Sequence, residues 1–417
     1  MKKLHFALIC VVFALIGSGE AKASGFQLNE ASVTNMSRSF AGVGVGGDDY
    51  SASFYNPAGI SLIKQRGIQS SATLVRVKSE FTGDSIFTGP LAGLSANGGK
   101  SEVKISSVVP AAFFVTPIND RLNVGISLGV PFGLGTSYAK DSFTRFYAVD
   151  SNLKMMEIAA TASYKINSRL ALGLSAGIQR GSAKLSSVKP GVALDVAELD
   201  GKDYRLTLNL GALYSFNDNH RVGFAFRPSV HHEMKGSTNS NVNIFAELRT
   251  PELFTLSSYH KLTEKFALLS TVRRTNWSRF DNLDILADPS GAIISKVHEN
   301  WKDSWAFALG ADYALSKEWT LRTGVAYDQT PIDDEEYRTA RIPDASRVML
   351  SLGASFSPNP KWQIDAGFTA MRIEDSAISS EHAIYNAGTP IGSQKLNGKF
   401  SGKGLDSLLG LGVQYKF

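Results

Sequence analysis

Apolar and polar residues alternate along most of this chain, from about residue 66 to the C-terminus. In residues 122–130, 156–166 and 206–216, every second side chain is apolar, and most of those between are small or polar. The same pattern recurs in residues 222–226, 305–313, 319–327, 348–356 and 362–368. Because successive side chains of a strand point to opposite faces, the pattern predicts many amphipathic β-strands, each with one apolar face.

The length of these strands indicates a membrane protein. A soluble β-sandwich shows the same alternation, but its strands are usually only about 5–6 residues long. The patterned segments here run to roughly 10–16 residues, which suits tilted strands that cross a bilayer and continue beyond it. Their apolar faces are therefore predicted to contact lipid.

Short and long connections alternate between the predicted strands. Six turns and seven loops join 14 strands and leave both chain ends on the short-turn side. The predicted fold is all-β: a 14-stranded antiparallel transmembrane β-barrel with short periplasmic turns and long external loops. The turns are predicted at residues 117–120, 167–168, 217–219, 263–264, 316–317 and 358–360, and the polar loops near 83–100, 131–152, 188–203, 236–250, 281–300, 329–345 and 375–402.

The C-terminal strand has a feature typical of barrels in the Gram-negative outer membrane. Leu409, Leu411, Val413, Tyr415 and Phe417 share one face, and Phe417 is the last residue. A terminal aromatic residue on such a strand resembles the signature that the barrel assembly machinery recognises. That machinery is a predicted partner, and the cell outer membrane is the predicted location.

Residues 1–23 are predicted to be an export signal. Lys2 and Lys3 precede an apolar run over residues 4–16, and residues 21–23 form an A-x-A cleavage site. The mature chain would begin at Ser24, without Cys10, which is the single cysteine. No disulfide is therefore expected.

Charge and motifs argue against several functions. The formal net charge of +5 is too small to indicate a nucleic-acid partner. Residues 173–177 match G-x-S-x-G, but they lie inside an alternating strand and not at a strand-to-helix turn. His231 and His232 are adjacent, so on a strand they face opposite ways and do not suit a shared metal. We expect no enzyme activity, no metal and no cofactor.

Residues 24–65 are polar, rich in Gly, Ser and Asn, and lack the strand pattern. Fourteen strands enclose a lumen wider than side chains alone can fill. We therefore predict that residues 24–65 form a plug, or hatch, inside a barrel of residues 66–417; a loose periplasmic tail is the alternative. Within the hatch, residues 29–40 are predicted to form a short helix with Asn29 as its N-cap.

Several separated motifs carry a family resemblance. They are GFQLNEASVTNMSRSFAG and FYNPAGISL near the N-terminus, VPFGLGTSY with TRFYAVDS, TPELFTLSSYHK with TNWSRF, and WKDSWAFALGADY with WTLRTGVAYD. Together they resemble the FadL-type outer-membrane transporters of long-chain fatty acids and hydrocarbons. The resemblance implies a monomeric 14-stranded barrel whose hatch is gated by Asn56, Pro57 and Ala58.

The resemblance also implies lateral release. In this family the ligand is captured outside, held in an apolar pocket beside the hatch, and released through a gap made by a kink in the third strand. The third strand here carries Gly125, Gly129 and Pro131. Proline cannot donate to a sheet ladder and glycine marks bends, so these residues are the predicted kink. An ordinary strand end followed by a loop is the alternative.

Two residues are predicted to bind the ligand. A fatty acid offers an alkyl chain and one carboxylate, so its site needs an apolar pocket and a cation. Lys302 shares the predicted inward face with Ser304 and matches the family's WKD-like position, although a solvated lysine at a strand end is the alternative. Phe26 is predicted to line the pocket. The inward arginines, Arg205, Arg221, Arg227, Arg322 and Arg347, are predicted mostly to pair with carboxylates of the hatch or wall.

The sequence thus favours passive uptake of long-chain fatty acids through a hatch-gated barrel. Uptake of monoaromatic hydrocarbons is a close alternative, and a general hydrophilic porin is an alternative from another class. The predicted partners are a hydrophobic ligand, outer-membrane lipid and the assembly machinery.

Overall fold

A computed structural model describes residues 25–47, 49–189, 196–386 and 388–417. The predicted export signal, residues 1–23, lies outside these ranges, as do residue 48 of the predicted hatch and part of the predicted loop at 188–203. Within the described part of the chain, no helix is long and apolar enough to span a membrane.

The strands of the described residues form one closed antiparallel barrel. It has fourteen barrel positions, called staves below, and each stave is either one strand or two strands that follow one another in the chain. The barrel closes because β1 pairs with β2 on one side and with β20, the last strand, on the other. Eight staves are single strands; in the other six, β7–β8, β9–β10, β11–β12, β13–β14, β17–β18 and β19–β20, two strands follow one another. The predicted fold class is confirmed. The strands are β1 Gly67–Phe87, β2 Ala96–Pro117, β3 Leu122–Ser137, β4 Asp150–Lys165, β5 Leu170–Val188, β6 Val196–Asn217, β7 His220–Arg227, β8 His231–Thr238, β9 Asn243–Arg249, β10 Glu252–Lys261, β11 Phe266–Asn276, β12 Asn282–Ala287, β13 Ile293–His298, β14 Ser304–Ala314, β15 Trp319–Asp328, β16 Arg347–Asn359, β17 Trp362–Ile373, β18 Ser376–Asn386, β19 Thr389–Gly402 and β20 Asp406–Lys416.

An apolar belt surrounds the outside of the barrel. Leu206 is 81% exposed, Leu411 63% and Leu352 59%, and each lies among other outward apolar side chains. Trp305 is the second residue of β14, at the external end of the belt, and Trp319 begins β15 at the periplasmic end. A continuous apolar surface of this size is favourable only against lipid, with aromatic residues at its two borders.

Most of the predicted external loops are strands, and in this respect the prediction is wrong. The loop predicted at 236–250 consists largely of β8 and β9, that at 281–300 contains β12 and β13, and that at 375–402 contains β18 and β19. Beyond the membrane these strands have no lipid to contact, so they need no apolar outer face. Their backbone ladder continues although the alternation fades.

The hatch lies inside the barrel, and nearly all of its described residues are buried. It contains two short helices, α1 Val33–Met36 and α2 Ala52–Tyr55, and a 3₁₀ helix at Pro57–Leu62. The helix predicted over residues 29–40 is therefore much shorter than expected. Its N-cap is Ser32, whose Oγ accepts a hydrogen bond from the Asn35 amide at 3.2 Å. Asn29 is not the cap, because its side chain accepts a hydrogen bond from Arg273 of the wall.

Buried polar contacts tie the hatch to the wall. Arg38 is 1% exposed, and its guanidinium lies 3.0 Å from Asp312 of β14. Ser39 Oγ donates a hydrogen bond of 2.9 Å to the Gly324 carbonyl of β15. Breaking a buried ion pair by removing one partner typically costs about 3–5 kcal/mol, so these contacts hold the hatch in one position.

The segment Asn56–Ala58 lies directly against two wall glycines. A Cβ atom on Gly173 of β5 would lie 2.2 Å from the Ala58 nitrogen, and one on Gly211 of β6 would lie 2.0 Å from Asn56 Oδ1. Glycine at these two paired positions lets the hatch backbone approach the wall.

We expect Gly211→Ala to displace the hatch while the barrel still forms, because the new methyl group would overlap the Asn56 side chain. Single-channel recordings in planar bilayers should then show higher ion conductance than wild type, with unchanged heat-modifiable mobility on gels. Gly93→Ala is the matched control, since nothing lies within 4 Å of a Cβ atom there. Equal conductance for Gly211→Ala and wild type would contradict this account of the contact.

Candidate ligand-binding site

A cavity of about 300 Å³ lies at the external side of the hatch. Its lining is mostly apolar and comes from the hatch N-terminus, the upper parts of several staves and the connection after β15. The volume lies at the lower end of the range of about 300–1,000 Å³ that is usual for small-molecule sites. Apolar side chains that line the cavity include Leu134, Leu153, Met234, Leu248, Phe280 and Ile342.

Phe26 forms part of the cavity wall and is fully buried. Its ring centroid lies 4.6 Å from that of Trp277, 5.3 Å from Phe280 and 5.9 Å from Phe132. These edge-on contacts fix the first described residues of the hatch at the inner end of the cavity. Phe26 therefore lines the cavity, and its contact with a ligand stays a prediction.

The hatch N-terminus pairs with β3 as a short strand. The Leu28 amide donates to the Pro131 carbonyl at 2.9 Å, and the Gly133 amide donates to the Phe26 carbonyl at 2.8 Å. Residues Gln27 and Phe132 face each other in this antiparallel bridge. The hatch thus satisfies backbone groups of β3 that no neighbouring stave reaches.

The Pro131 carbonyl and the Gly133 amide of β3 can bind the hatch because β2 and β3 separate at this level. Their pairing ends at Ala112 and Leu128, although both strands continue upward. The register between β3 and β4 shifts between Gly129 and Phe132, so Pro131 lies in a bulge. Gly125 lies below the break, in regular pairing with both neighbouring strands. Of the three predicted kink residues, the structure thus places Gly129 and Pro131 at the break and Gly125 beneath it.

Two titratable groups of the cavity are uncharged at neutral pH. Glu299 precedes β14 on the external side of Trp305, is 2% exposed, and accepts a hydrogen bond of 3.0 Å from the Trp301 indole. Burial raises the pKa of Glu299 to about 8, so its carboxyl is protonated at pH 7. His382 of β18 is buried, and burial lowers its pKa to about 3. Neither group brings a charge into the cavity at pH 7.

Arg341 provides a cation at the cavity. Its guanidinium donates to Ser151 Oγ at 3.0 Å and to the Tyr147 carbonyl, and it lies 5.2 Å from the Tyr147 ring centroid. The Tyr147 ring stacks in turn on His382 at 4.1 Å. Among the described residues, no carboxylate forms an ion pair with Arg341, so its charge is available to an anionic ligand. Lys189 and Lys296 also line the cavity.

Sequence reasoning missed Arg341 because it lies in the predicted loop at 329–345. Side-chain direction follows from alternation only within a strand, and no strand contains this residue. The arginine is assigned to the cavity only by the folded position of the connection between β15 and β16.

Lys302 does not reach the cavity. Its side chain is exposed, and Nζ donates to Asn300 Oδ1 at 3.1 Å. The predicted inward face assumed that the alternation of β14 extends back to Lys302, but β14 begins at Ser304. Asn300, two residues before Lys302, has a φ of 43°, which does not occur in a regular β-strand.

Most of the inward arginines bind carboxylates, as predicted. Arg347 lies 2.6 Å from Asp328, and Arg227 pairs with Glu157. Arg221 instead donates to the Gly46 carbonyl of the hatch at 2.8 Å. Arg347 and Arg227 thus join strands of the wall, and Arg221 joins the wall to the hatch. Arg205 and Arg322 lie near Asp203 and Asp312 at 2.8 and 3.6 Å.

The G-x-S-x-G motif resembles a catalytic site but is part of the barrel wall. Residues 173–177 lie within β5, and Ser175 Oγ hydrogen-bonds to Thr161 Oγ1 at 2.6 Å. Ser175 therefore joins two neighbouring staves, and no strand-to-helix turn exposes it as a nucleophile.

Several curated proteins match the chain over most of its length. The "47 kDa outer membrane protein" of Pasteurella multocida is 28% identical, and the alignment covers 100% of this chain and 99% of that protein. The "Long-chain fatty acid transport protein" of Escherichia coli O6:H1 is also 28% identical, with 87% of this chain and 90% of that protein covered.

A solved structure shares the fold. The crystal structure of a Pseudomonas aeruginosa FadL homologue superposes with a TM-score of 0.83 at 24% sequence identity, covering 94% of this chain and 100% of that chain. The sequence profile of a family described as "Outer membrane protein transport protein (OMPP1/FadL/TodX)" matches residues 14–417. The match confirms the resemblance noted in the sequence, the outer-membrane location and a transport role in place of catalysis. The chain belongs to the outer membrane protein transport family OMPP1/FadL/TodX.

Proposed function

We propose that this protein takes up long-chain fatty acids passively across the outer membrane. The observation that carries the proposal is the apolar cavity, which has Phe26 of the hatch in its wall and lies beside the break between β2 and β3. A ligand bound there contacts the segment that covers the break. Movement of that segment would connect the cavity to the membrane.

The alkyl chain supplies most of the binding free energy in this proposal. Burial of each methylene group contributes about 0.8 kcal/mol. A hydrogen bond to a charged group contributes only about 1.5–3 kcal/mol. The apolar wall therefore drives capture, and Arg341 orients the carboxylate toward the external end of the cavity.

The ligand would leave the cavity through the part of the wall where β2 and β3 are not paired with each other. At the level of Gly129 and Pro131, β3 has the hatch N-terminus as its partner in place of β2. If residues 26–28 leave β3, an opening to the lipid remains between the two staves. An apolar ligand gains nothing by entering the periplasm, so lateral exit into the bilayer is favoured.

Asn56, Pro57 and Ala58 are the proposed gate of the hatch. Asn56 Nδ2 donates to the Gly44 carbonyl of the hatch and to the Ala212 carbonyl of the wall, the latter at 3.2 Å. Asn56 Oδ1 accepts from the Ala58 amide at 3.1 Å. One side chain therefore joins two hatch segments and β6, which is suitable for coupling hatch movement to the wall.

The two alternative functions, uptake of monoaromatic hydrocarbons and a hydrophilic porin, account less well for the cavity lining and for the filled lumen. A monoaromatic hydrocarbon has no charge and would need no cation, whereas Arg341, Lys189 and Lys296 all line the cavity. A hydrophilic porin needs an open lumen, whereas the described hatch residues are packed inside the barrel.

We further propose a monomer that is exported by residues 1–23 and inserted by the barrel assembly machinery, with residues 24–65 as hatch and 66–417 as barrel. The sheet closes within one chain, because β1 pairs with both β2 and β20, which supports a monomer. Phe417 follows the last strand, next to Tyr415 at 5.2 Å, which supports recognition of the C-terminus by that machinery.

Arg341→Gln should weaken palmitate binding by roughly 10- to 100-fold, because a charged hydrogen-bonding partner of the carboxylate is lost. Binding of hexadecanol should change little. Calorimetric titration of the purified protein in detergent measures both. Lys302→Gln is the matched control and should bind palmitate like wild type. If Lys302→Gln loses affinity and Arg341→Gln does not, the carboxylate lies at Lys302.

Asn56→Ala should abolish uptake of labelled oleate in cells that lack their own transporter, at equal abundance of folded barrel. The substitution leaves the buried Gly44 and Ala212 carbonyls without this donor, so the hatch loses its fixed position. Retained uptake would show that Asn56 has no part in gating. If wild type transports toluene but not oleate, the ligand class changes and the gate remains testable with toluene.

Palmitate affinity should fall as the pH rises from 7 to 9. The raised pKa of Glu299, about 8, means that this carboxyl loses its proton within that interval and brings a negative charge beside the ligand carboxylate. Glu299→Gln should bind palmitate with little pH dependence over the same range. A wild-type affinity that is constant from pH 7 to 9 would contradict the buried neutral carboxyl.

A further inference from the structure

A band of charged residues lies on the outside of the barrel, directly above the apolar belt on β1, β2 and β20. The row formed by Leu74, Val108 and Leu409 is apolar and faces lipid. Two residues further up, β1 carries Arg76, and two residues beyond that it carries Lys78. At about 3.3 Å per residue along tilted strands, Lys78 lies roughly 10 Å above the last apolar row, at the level of lipid headgroups.

Two lysines face each other in this band. Lys78 of β1 and Lys104 of β2 are register partners, and both are exposed on the outer face. Like charges directly opposite each other destabilise an antiparallel pair. Lys104 lies 2.5 Å from Glu102, whereas no carboxylate of the described residues forms an ion pair with Lys78. The pair is thus incompletely neutralised by the protein.

The neighbouring carboxylates are already occupied. Glu80 and Glu102 are also register partners, and Lys403 bridges them with Nζ 3.0 Å from each. Lys100 adds a second cation 3.1 Å from Glu80. The band therefore contains more positive than negative groups, because Arg76, Lys78, Lys100, Lys104 and Lys403 accompany only Glu80 and Glu102.

A groove of about 780 Å³ lies beside the band. It runs between the upper part of β2 and residues 137–145, where β2 has lost β3 as its neighbour. Lys100, Lys104 and Glu102 line one side of it, and Arg145 and Asp141 line the other, so three cations accompany two carboxylates there. The groove provides room for a headgroup next to Lys104, whose register partner Lys78 has no ion-pair partner among the described residues.

We propose that the outer face of β1 and β2, with Lys78 and Lys104 at its centre, binds the phosphate groups of a glycolipid in the outer leaflet. A phosphate between the two ammonium groups would remove their repulsion. The apolar row below would contact the acyl chains of the same molecule, and the groove would hold part of its sugar headgroup. One lipid would thereby be fixed next to the break between β2 and β3.

The test uses the full-length mature protein in detergent and bisphosphorylated lipid A as the probe, with binding measured by native mass spectrometry. The double variant K78Q/K104Q should bind at least roughly tenfold more weakly than wild type, since each basic residue near a lipid surface contributes about a fivefold factor. K265Q/K317Q removes the same charge at two exposed periplasmic turns and should bind like wild type. Heat-modifiable mobility checks that each variant is folded.

Three further arms separate the possible outcomes. K78R/K104R should retain binding of bisphosphorylated lipid A. Lipid A without phosphates should bind weakly to all variants. Excess inorganic phosphate should compete only partly with the lipid, because it lacks acyl chains. Equal binding of bisphosphorylated lipid A by K78Q/K104Q and wild type would overturn the proposal. So would equal binding of phosphorylated and dephosphorylated lipid, because acyl chains alone would then explain the affinity.

Discussion

The backbone hydrogen-bond ladder constrains every other feature of this protein. A bilayer offers no water to unpaired amides and carbonyls, so a sheet within it must close on itself. Closure with fourteen staves creates a lumen that side chains cannot fill, and the hatch fills it. Where β2 and β3 separate, the same requirement recurs locally, and residues 26–28 of the hatch supply the missing partner. At residues 26–28, the hatch is therefore part of the barrel wall.

Much of the fold could be predicted because membrane strands follow a simple rule. Lipid on one side forces an apolar residue at every second position, as at Leu206 and Leu208, and this regularity gives strand number, direction and facing. The alternation is required only where a strand contacts lipid, and it stops where the strands continue beyond the membrane. The sequence pattern predicts loops where the external strands lie, and it predicts an inward direction for Lys302 from a strand that begins only at Ser304. Arg341 lies in an irregular connection, for which no local pattern assigns a direction.

The electrostatics of the cavity follow from burial. Desolvation keeps Glu299 protonated and His382 neutral, so the remaining charges beside the apolar wall are cationic. The wall arginines below the cavity are already paired with carboxylates or hatch carbonyls. Among the described residues, the cations that line the cavity are Arg341, Lys189 and Lys296. In the proposed function, these cations orient the carboxylate of an amphipathic ligand.

The seam between β1 and β20 also sets an order of events in folding. Gly67 of β1 lies opposite Lys416 of β20, so the barrel closes only after almost the whole chain has been synthesised and positioned. Such a contact is among the most distant in sequence that the chain makes, and its formation is correspondingly slow. The hatch precedes β1 in the chain and contacts wall strands that are distant in sequence, among them β6 and β14. Those contacts exist only once these strands have come together, so the seam and the packing of the hatch both depend on late, long-range assembly.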